Sequence, residues 1–149
     1  MKKTILSVFI VFAIIFTAAA QNEREISTIK KVVQESYCEG LQNEGDAKKI
    51  EKGFHSDFKM QYVGQDGKLN VLSITDWKKR QVQKAKDGQL PLKGDKVVTI
   101  KFMNVDVTGT AAVAKIQFLV GGKLKYVDYI SLYKFGKDWK MVNKVFTNM

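Results

Sequence analysis

From residue 23 to residue 43 apolar side chains recur at steps of three and four. Ile26, Ile29, Val33, Tyr37 and Leu41 make one stripe, and Lys30, Lys31, Gln34, Glu35 and Glu39 fall away from it. A period near 3.6 with one apolar face predicts an amphipathic helix laid on a core. Gly45 ends it, and Asp46 is a suitable N-cap for a short helix over 47–52 that stops at Gly53. Lys48 and Lys49 stand in that helix's first turn, against the helix dipole. The short helix is therefore expected to depend on the packing of Ile50, not on its own propensity.

The period then changes. Phe58, Met60 and Tyr62 alternate with Lys59, Gln61 and Val63, which predicts a strand over 58–63. Gln65-Asp66-Gly67-Lys68 carries a turn signal, and 69–72 is expected to return as a hairpin arm. Ser73 and Asp76 resemble a capping box, and they open a third helix over 74–87 that carries Trp77 and Val82 and ends at Gly88. Four strand-like runs follow, 96–108, 111–120, 124–135 and 139–147, separated by short glycine-bearing links. Links of that length predict an antiparallel meander. Helices first and strands afterwards give an α+β fold.

The run 124–135 is apolar on both faces. Leu124, Tyr126, Asp128, Ile130 and Leu132 share one side, and Val127, Tyr129, Ser131, Tyr133 and Phe135 share the other. A strand wet on one face alternates more cleanly. Three helices can cover one side of the sheet. The other side is expected to meet a second copy of the chain through Tyr129, Tyr133 and Phe146.

The amino terminus has its own pattern. Met1-Lys2-Lys3 is followed by an apolar run from Ile5 to Phe16 and by small residues Thr17-Ala18-Ala19-Ala20. That is the pattern of a secretory signal peptide cut before Gln21, with no stable membrane anchor left afterwards. Residues 21–149 then form a single domain, expected in the periplasm or outside the cell. Loss of Lys2 and Lys3 lowers the formal charge from +10 to +8. The lysines are scattered, and the densest group, Lys78, Lys79, Arg80, Lys84 and Lys86, falls on one predicted helix where a solvated face accounts for it. With no stacking motif for single strands, nucleic acid is not an expected partner. A lone cysteine, Cys38, cannot close an internal disulfide. One histidine and one cysteine are too few for a zinc or copper site, so neither a metal nor a cofactor is expected.

The residues that carry a family likeness are Tyr37-Cys38-Glu39-Gly40-Leu41 with Gly45-Asp46, Phe54-His55-Ser56-Asp57-Phe58, Asp66-Gly67-Lys68-Leu69, Asp128-Tyr129-Ile130-Ser131-Leu132 and Trp139 to Phe146. In this order they resemble the nuclear transport factor 2-like superfamily, and within it the exported bacterial group labelled putative lumazine-binding proteins. The resemblance covers the whole chain after residue 20. It implies a long helix and two shorter ones packed on a strongly curved mixed or antiparallel sheet, forming a cone with a pocket. The superfamily hosts both enzymes and non-catalytic binders, so the resemblance leaves function to the site.

Three carboxylates and a histidine could do chemistry. His55 and Asp57, at i and i+2, could act as a base and its orienting partner. They could equally fix the entry to the first strand by hydrogen bonds. Asp128 shares a face with apolar residues, where a carboxylate is costly unless paired. The resemblance to superfamily isomerases implies that it could move a proton beside a carbonyl with Tyr37 or Tyr62 as hydroxyl donor; it could also simply be held by Lys144 or Asn143 of the adjacent strand. Asp106 is a weaker third candidate, expected to face solvent. Tyr37, Phe54, Phe58, Met60, Tyr62, Trp77 and Phe118 are candidate pocket walls, with His55, Asp128 and Asn143 as polar groups that orient a small apolar or heteroaromatic ligand. The leading expectation is an exported, non-catalytic small-molecule binder. The alternative is an isomerase- or dehydratase-type enzyme using a pocket carboxylate.

Overall fold

The structure, a computed structural model, describes residues 21–149. The expected signal peptide, residues 1–20, lies outside the described residues. Residues 21–32 are α-helical and run on into π-helical Val33–Glu44. These two stretches form helix α1. The wider turn buries Ser36, Cys38 and Gly40 beside the expected Val33, Tyr37 and Leu41. Gly45 ends α1 at φ +66°, a left-handed conformation that glycine adopts without a Cβ penalty.

Helix α2, Ala47–Gly53, starts at Asp46, whose carboxylate accepts from the N–H groups of Lys48 and Lys49. Ile50 is fully buried, and a Cβ at Gly53 would run into the Ser36 side chain. Close packing on α1 thus holds this seven-residue helix, as its unfavourable first turn requires. Helix α3, Ile74–Lys86, is capped by Ser73, which accepts from Asp76 N–H, and is tied to α1 by a buried bond from Gln81 Nε2 to Leu41 O of 2.8 Å.

The strands are β1 (Phe54–Val63), β2 (Leu69–Ser73), β3 (Val98–Thr108), β4 (Ala111–Val120), β5 (Lys123–Phe135) and β6 (Asp138–Asn148). They form one open sheet in the order β2-β1-β6-β5-β4-β3. The last four make the expected antiparallel meander. β1 lies parallel to β6, so the sheet is mixed. That pairing begins at Phe54 opposite Met141, which extends the strand back over residues 54–57, ahead of the start expected at 58.

The core lies between α1 and the inner face of the sheet. Ile29, Val33, Tyr37 and Leu41 of the helix meet Ala114, Ile116, Ile130, Leu132, Trp139 and Met141 of the strands. At the start of α1, Glu25 accepts hydrogen bonds from Lys134 Nζ and, at 2.6 Å, from Trp139 Nε1. The three helices and the mixed sheet give an α+β architecture consistent with a cone. Among the described residues no helix is long and apolar enough to cross a membrane.

One irregularity positions the site. Ser131 pairs with Asn143, but Leu132 pairs with Met141, so Val142 is an extra residue in β6. A bulge of this kind re-aims the side chains that follow it. Simple alternation from Trp139 and Met141 would send Lys144 and Phe146 to the outer face. The bulge turns both inward instead, and Lys144 is 4 % exposed. Phe146 therefore does not belong to the outer face, where the sequence pattern had placed it for contact with a second copy. Its ring packs on Tyr62 and Tyr126.

Candidate functional site

Three polar side chains meet inside the cone. Tyr37 comes from the π-helical part of α1, Asp128 from β5 and Lys144 from β6. The Tyr37 hydroxyl donates to Asp128 Oδ2 at 2.7 Å and accepts from Lys144 Nζ at 2.7 Å. Lys144 Nζ also donates to Asp128 Oδ2 at 2.9 Å. Asp128 has no exposed surface and Tyr37 is 1 % exposed. Asp128 Oδ1 has no hydrogen-bond partner among the described residues.

Burial governs the electrostatics. Desolvation, followed by the Asp128 charge, pushes the Tyr37 hydroxyl well above the usual tyrosine range. Desolvation pulls the Lys144 ammonium down, while the charge of Asp128 and its hydrogen bond oppose that shift. The ammonium is further held by aromatic faces. Its Nζ lies 4.7 Å from the ring centroid of Phe146, 5.0 Å from Tyr37, 5.8 Å from Trp77 and 5.9 Å from Phe118. Cations within about 6 Å of a ring centroid are attracted by its quadrupole.

Above this floor the aromatic side chains continue toward solvent. Tyr62, Trp77, Tyr126 and Phe146 are all half-buried. Tyr126 stands edge-on to Phe146 at 5.2 Å, and Tyr62 tilts against Phe146 at 5.7 Å. Trp77 stands edge-on to Tyr37 at 6.1 Å. β1, β5, β6 and α3 each supply one of the four rings, and two of them, Phe146 and Trp77, lie against the Lys144 ammonium.

Of the expected pocket residues, Tyr37, Trp77, Phe118 and Asp128 converge here and Tyr62 joins them through Phe146. Phe54 and Phe58 pack on one another at 4.8 Å in the core, and half-buried Met60 packs against that core. Two expected polar residues lie elsewhere. Asn143 donates to Lys59 O and Gln61 Oε1, because the bulge at Val142 leaves it beside the outward residues of β1. His55 stacks on Phe135 at 4.7 Å and lines an outer cleft of about 300 Å³ with Ile50, Ile74 and Lys78. Its Nδ1 accepts from Asp57 N–H at 3.2 Å, while the Asp57 side chain is 88 % exposed. The pair thus stabilises local backbone and does not meet Asp128. Asp106 is exposed. Cys38 is buried, and its thiol, donating to Val98 O at 3.4 Å, is pushed up to about 11 by burial, which suits packing and not attack.

Sequence reasoning named Lys144 as a partner for Asp128 but not as the centre of an aromatic cluster. It omitted Tyr126 and misplaced Phe146. Tyr126 carried a usable signal, since it lies two residues before Asp128 and so shares its face. Phe146 carried none, because the bulge decides its side.

Comparison with solved structures supports the same architecture. A nuclear transport factor 2-like protein of unknown function from Shewanella baltica is 23 % identical, with a TM-score of 0.64 over 85 % of this chain and 94 % of that one. One from Silicibacter pomeroyi, also of unknown function, is 17 % identical with a TM-score of 0.68, over 86 % of this chain and 98 % of that one. A third, from Methylobacillus flagellatus and again of unknown function, is 25 % identical with a TM-score of 0.62, over 85 % and 93 %. Among curated proteins none matches. The family model described as "Putative lumazine-binding" matches residues 24–147, spanning α1 to β6. The chain belongs to that family, on a nuclear transport factor 2-like fold.

Proposed function

We propose that this chain is an exported, non-catalytic binder of a small flat molecule, apolar or heteroaromatic, taken up at the aromatic mouth above Asp128 and Lys144. The observation that carries this reading is the gathering of half-buried rings at one buried charged pair, with Tyr62, Tyr126 and Phe146 in mutual contact and Trp77 joined to them through Lys144. Ligand sites of this kind combine aromatic walls with few polar groups. The family description names a flat bicyclic heteroaromatic compound, which is in keeping with such walls.

The alternative, proton transfer by Asp128, needs a carboxylate free to take a proton. Here one oxygen carries both the Tyr37 hydroxyl and the Lys144 ammonium. That oxygen is thereby occupied, and the carboxylate as a whole has no exposed surface from which to reach a substrate. Binding without turnover therefore fits the geometry better.

Two further features complete the reading. Cleavage before Gln21 releases the domain, and mass spectrometry of the exported protein tests it. A second copy covers the outer face of the sheet. Tyr129 and Tyr133 are 41 % and 51 % exposed there, and Val145 lies directly beside Tyr129 on β6.

A thermal-shift panel of flavins, pterins, sterols and fatty acids tests the binding reading. A ligand selective for the folded state raises the melting temperature. A rise with flat ring compounds is expected. A flat response to all four classes contradicts the reading.

A further inference from the structure

Apart from the aromatic cluster, α2, β1 and α3 enclose the cleft of about 300 Å³ that His55 lines. Its apolar lining, Ile50, Phe54 and Ile74, belongs to the buried core. Two charged side chains line it as well. Lys78 Nζ donates to Glu51 Oε1 at 2.7 Å. The Lys78 side chain is 32 % exposed and that of Glu51 61 %. The lysine is thus part of the cleft wall, while the glutamate stands mostly in solvent. His55 adds a second donor. Its Nδ1 accepts from Asp57 N–H, which leaves the proton of the neutral ring on Nε2. Stacking on Phe135 holds that ring in place.

These surroundings select among ligands. A buried apolar lining favours a hydrocarbon body. Two N–H donors from different elements, one of them charged, favour an anionic acceptor. A single ammonium balances one negative charge, so a carboxylate fits better than a phosphate ester, which carries nearly two. Glu51 already occupies that ammonium, but an ion pair so exposed contributes little and is readily exchanged. A carboxylate joined to a hydrocarbon chain replaces it and gains the apolar lining besides. We propose that this cleft is a second binding site, for a small aliphatic monocarboxylate. The ligand's carboxylate displaces Glu51 from Lys78 and accepts from His55 Nε2–H, and its chain lies on Ile50, Phe54 and Ile74. Glu51 is then a built-in competitor for the site.

NMR titration of the purified, isotope-labelled protein with hexanoate and hexanamide tests this. The amide keeps the chain and the carbonyl and removes the charge. Hexanoate is expected to give saturable shifts at Phe54, His55, Ile74 and Lys78. Hexanamide is expected to bind about tenfold more weakly, the loss of a hydrogen bond between charged groups. Lys78→Gln is expected to weaken hexanoate by a similar factor. Glu51→Gln removes the competitor and is expected to tighten hexanoate about threefold, the scale of an exposed ion pair. A glutamate that only braces the cleft would give the opposite change or none. Equal affinity for acid and amide, unchanged or weaker binding in Glu51→Gln, or no saturable shifts at the cleft overturns the proposal. None of these outcomes bears on the aromatic cluster around Lys144, which the cleft does not include.

Discussion

Lys144 holds Asp128 across adjacent strands, Nζ to Oδ2 at 2.9 Å, with the carboxylate wholly buried and the lysine side chain 5 % exposed. Removing one end of such a pair leaves the other charge uncompensated, at a cost of about 3–5 kcal/mol. Lys144→Met and Asp128→Leu are each expected to lose that much in urea unfolding. The triple change Tyr37→Phe, Asp128→Leu and Lys144→Met removes every polar group of the cluster and is expected to cost less than either single change. A triple variant as unstable as the sum of its parts would contradict this account of the cluster.

The mouth predicts a separation between binding and stability. Trp77→Ala removes a half-buried ring over Lys144 and is expected to weaken flat-ring ligands at least tenfold, about 1.4 kcal/mol. Tyr129→Ala, on the opposite face, is expected to leave ligand affinity unchanged. Fluorescence titration of both variants checks the contrast.

How far the sequence carries is shown by these same residues. Period-3.6 and period-2 patterns located the three main helices and the six strands, because burial of one face dictates them, but not the short 3-10 turn Gly94–Lys96 or the early start of β1 at Phe54. Asp128 was legible as a site residue because a carboxylate on an apolar face demands a partner, and the adjacent strand supplied Lys144. The aromatic surroundings of Lys144 were not legible. They depend on the extra residue at Val142, which reverses the facing of all that follows in β6. His55 shows what pattern alone leaves open. Its position beside Phe54 suggested a pocket, and the two do line one cleft, but that cleft does not include Asp128, and the His55 ring stacks on Phe135.

Acid stability has a specific source. Hydrogen bonds from Lys134 and Trp139 hold the Glu25 carboxyl below the usual glutamate range. A carboxyl lowered by folding contributes stability above its unfolded value, about 4.3, and loses it as pH falls through the folded value. Glu25→Gln is therefore expected to lower stability at pH 7 by about 1–3 kcal/mol and to flatten the decline below pH 4. Urea midpoints measured from pH 3 to pH 7 test both effects.

The outer face leads to an assembly prediction. Tyr129→Glu with Tyr133→Glu sets charge in the proposed contact between copies. Sedimentation equilibrium is expected to show a dimer for the parent protein and a monomer for the variant. A monomeric parent at high micromolar concentration contradicts the assembly.

The central claim is that a flat ring sits at the mouth above Asp128 and Lys144. An NMR titration of the purified, isotope-labelled protein with quinolin-2-one measures this most directly. The account predicts saturable shifts centred on Tyr62, Trp77, Tyr126 and Phe146, with Asp128 and Lys144 shifting beneath them. Shifts confined to the cleft of His55 and Lys78, or no saturable shifts at all, would contradict it.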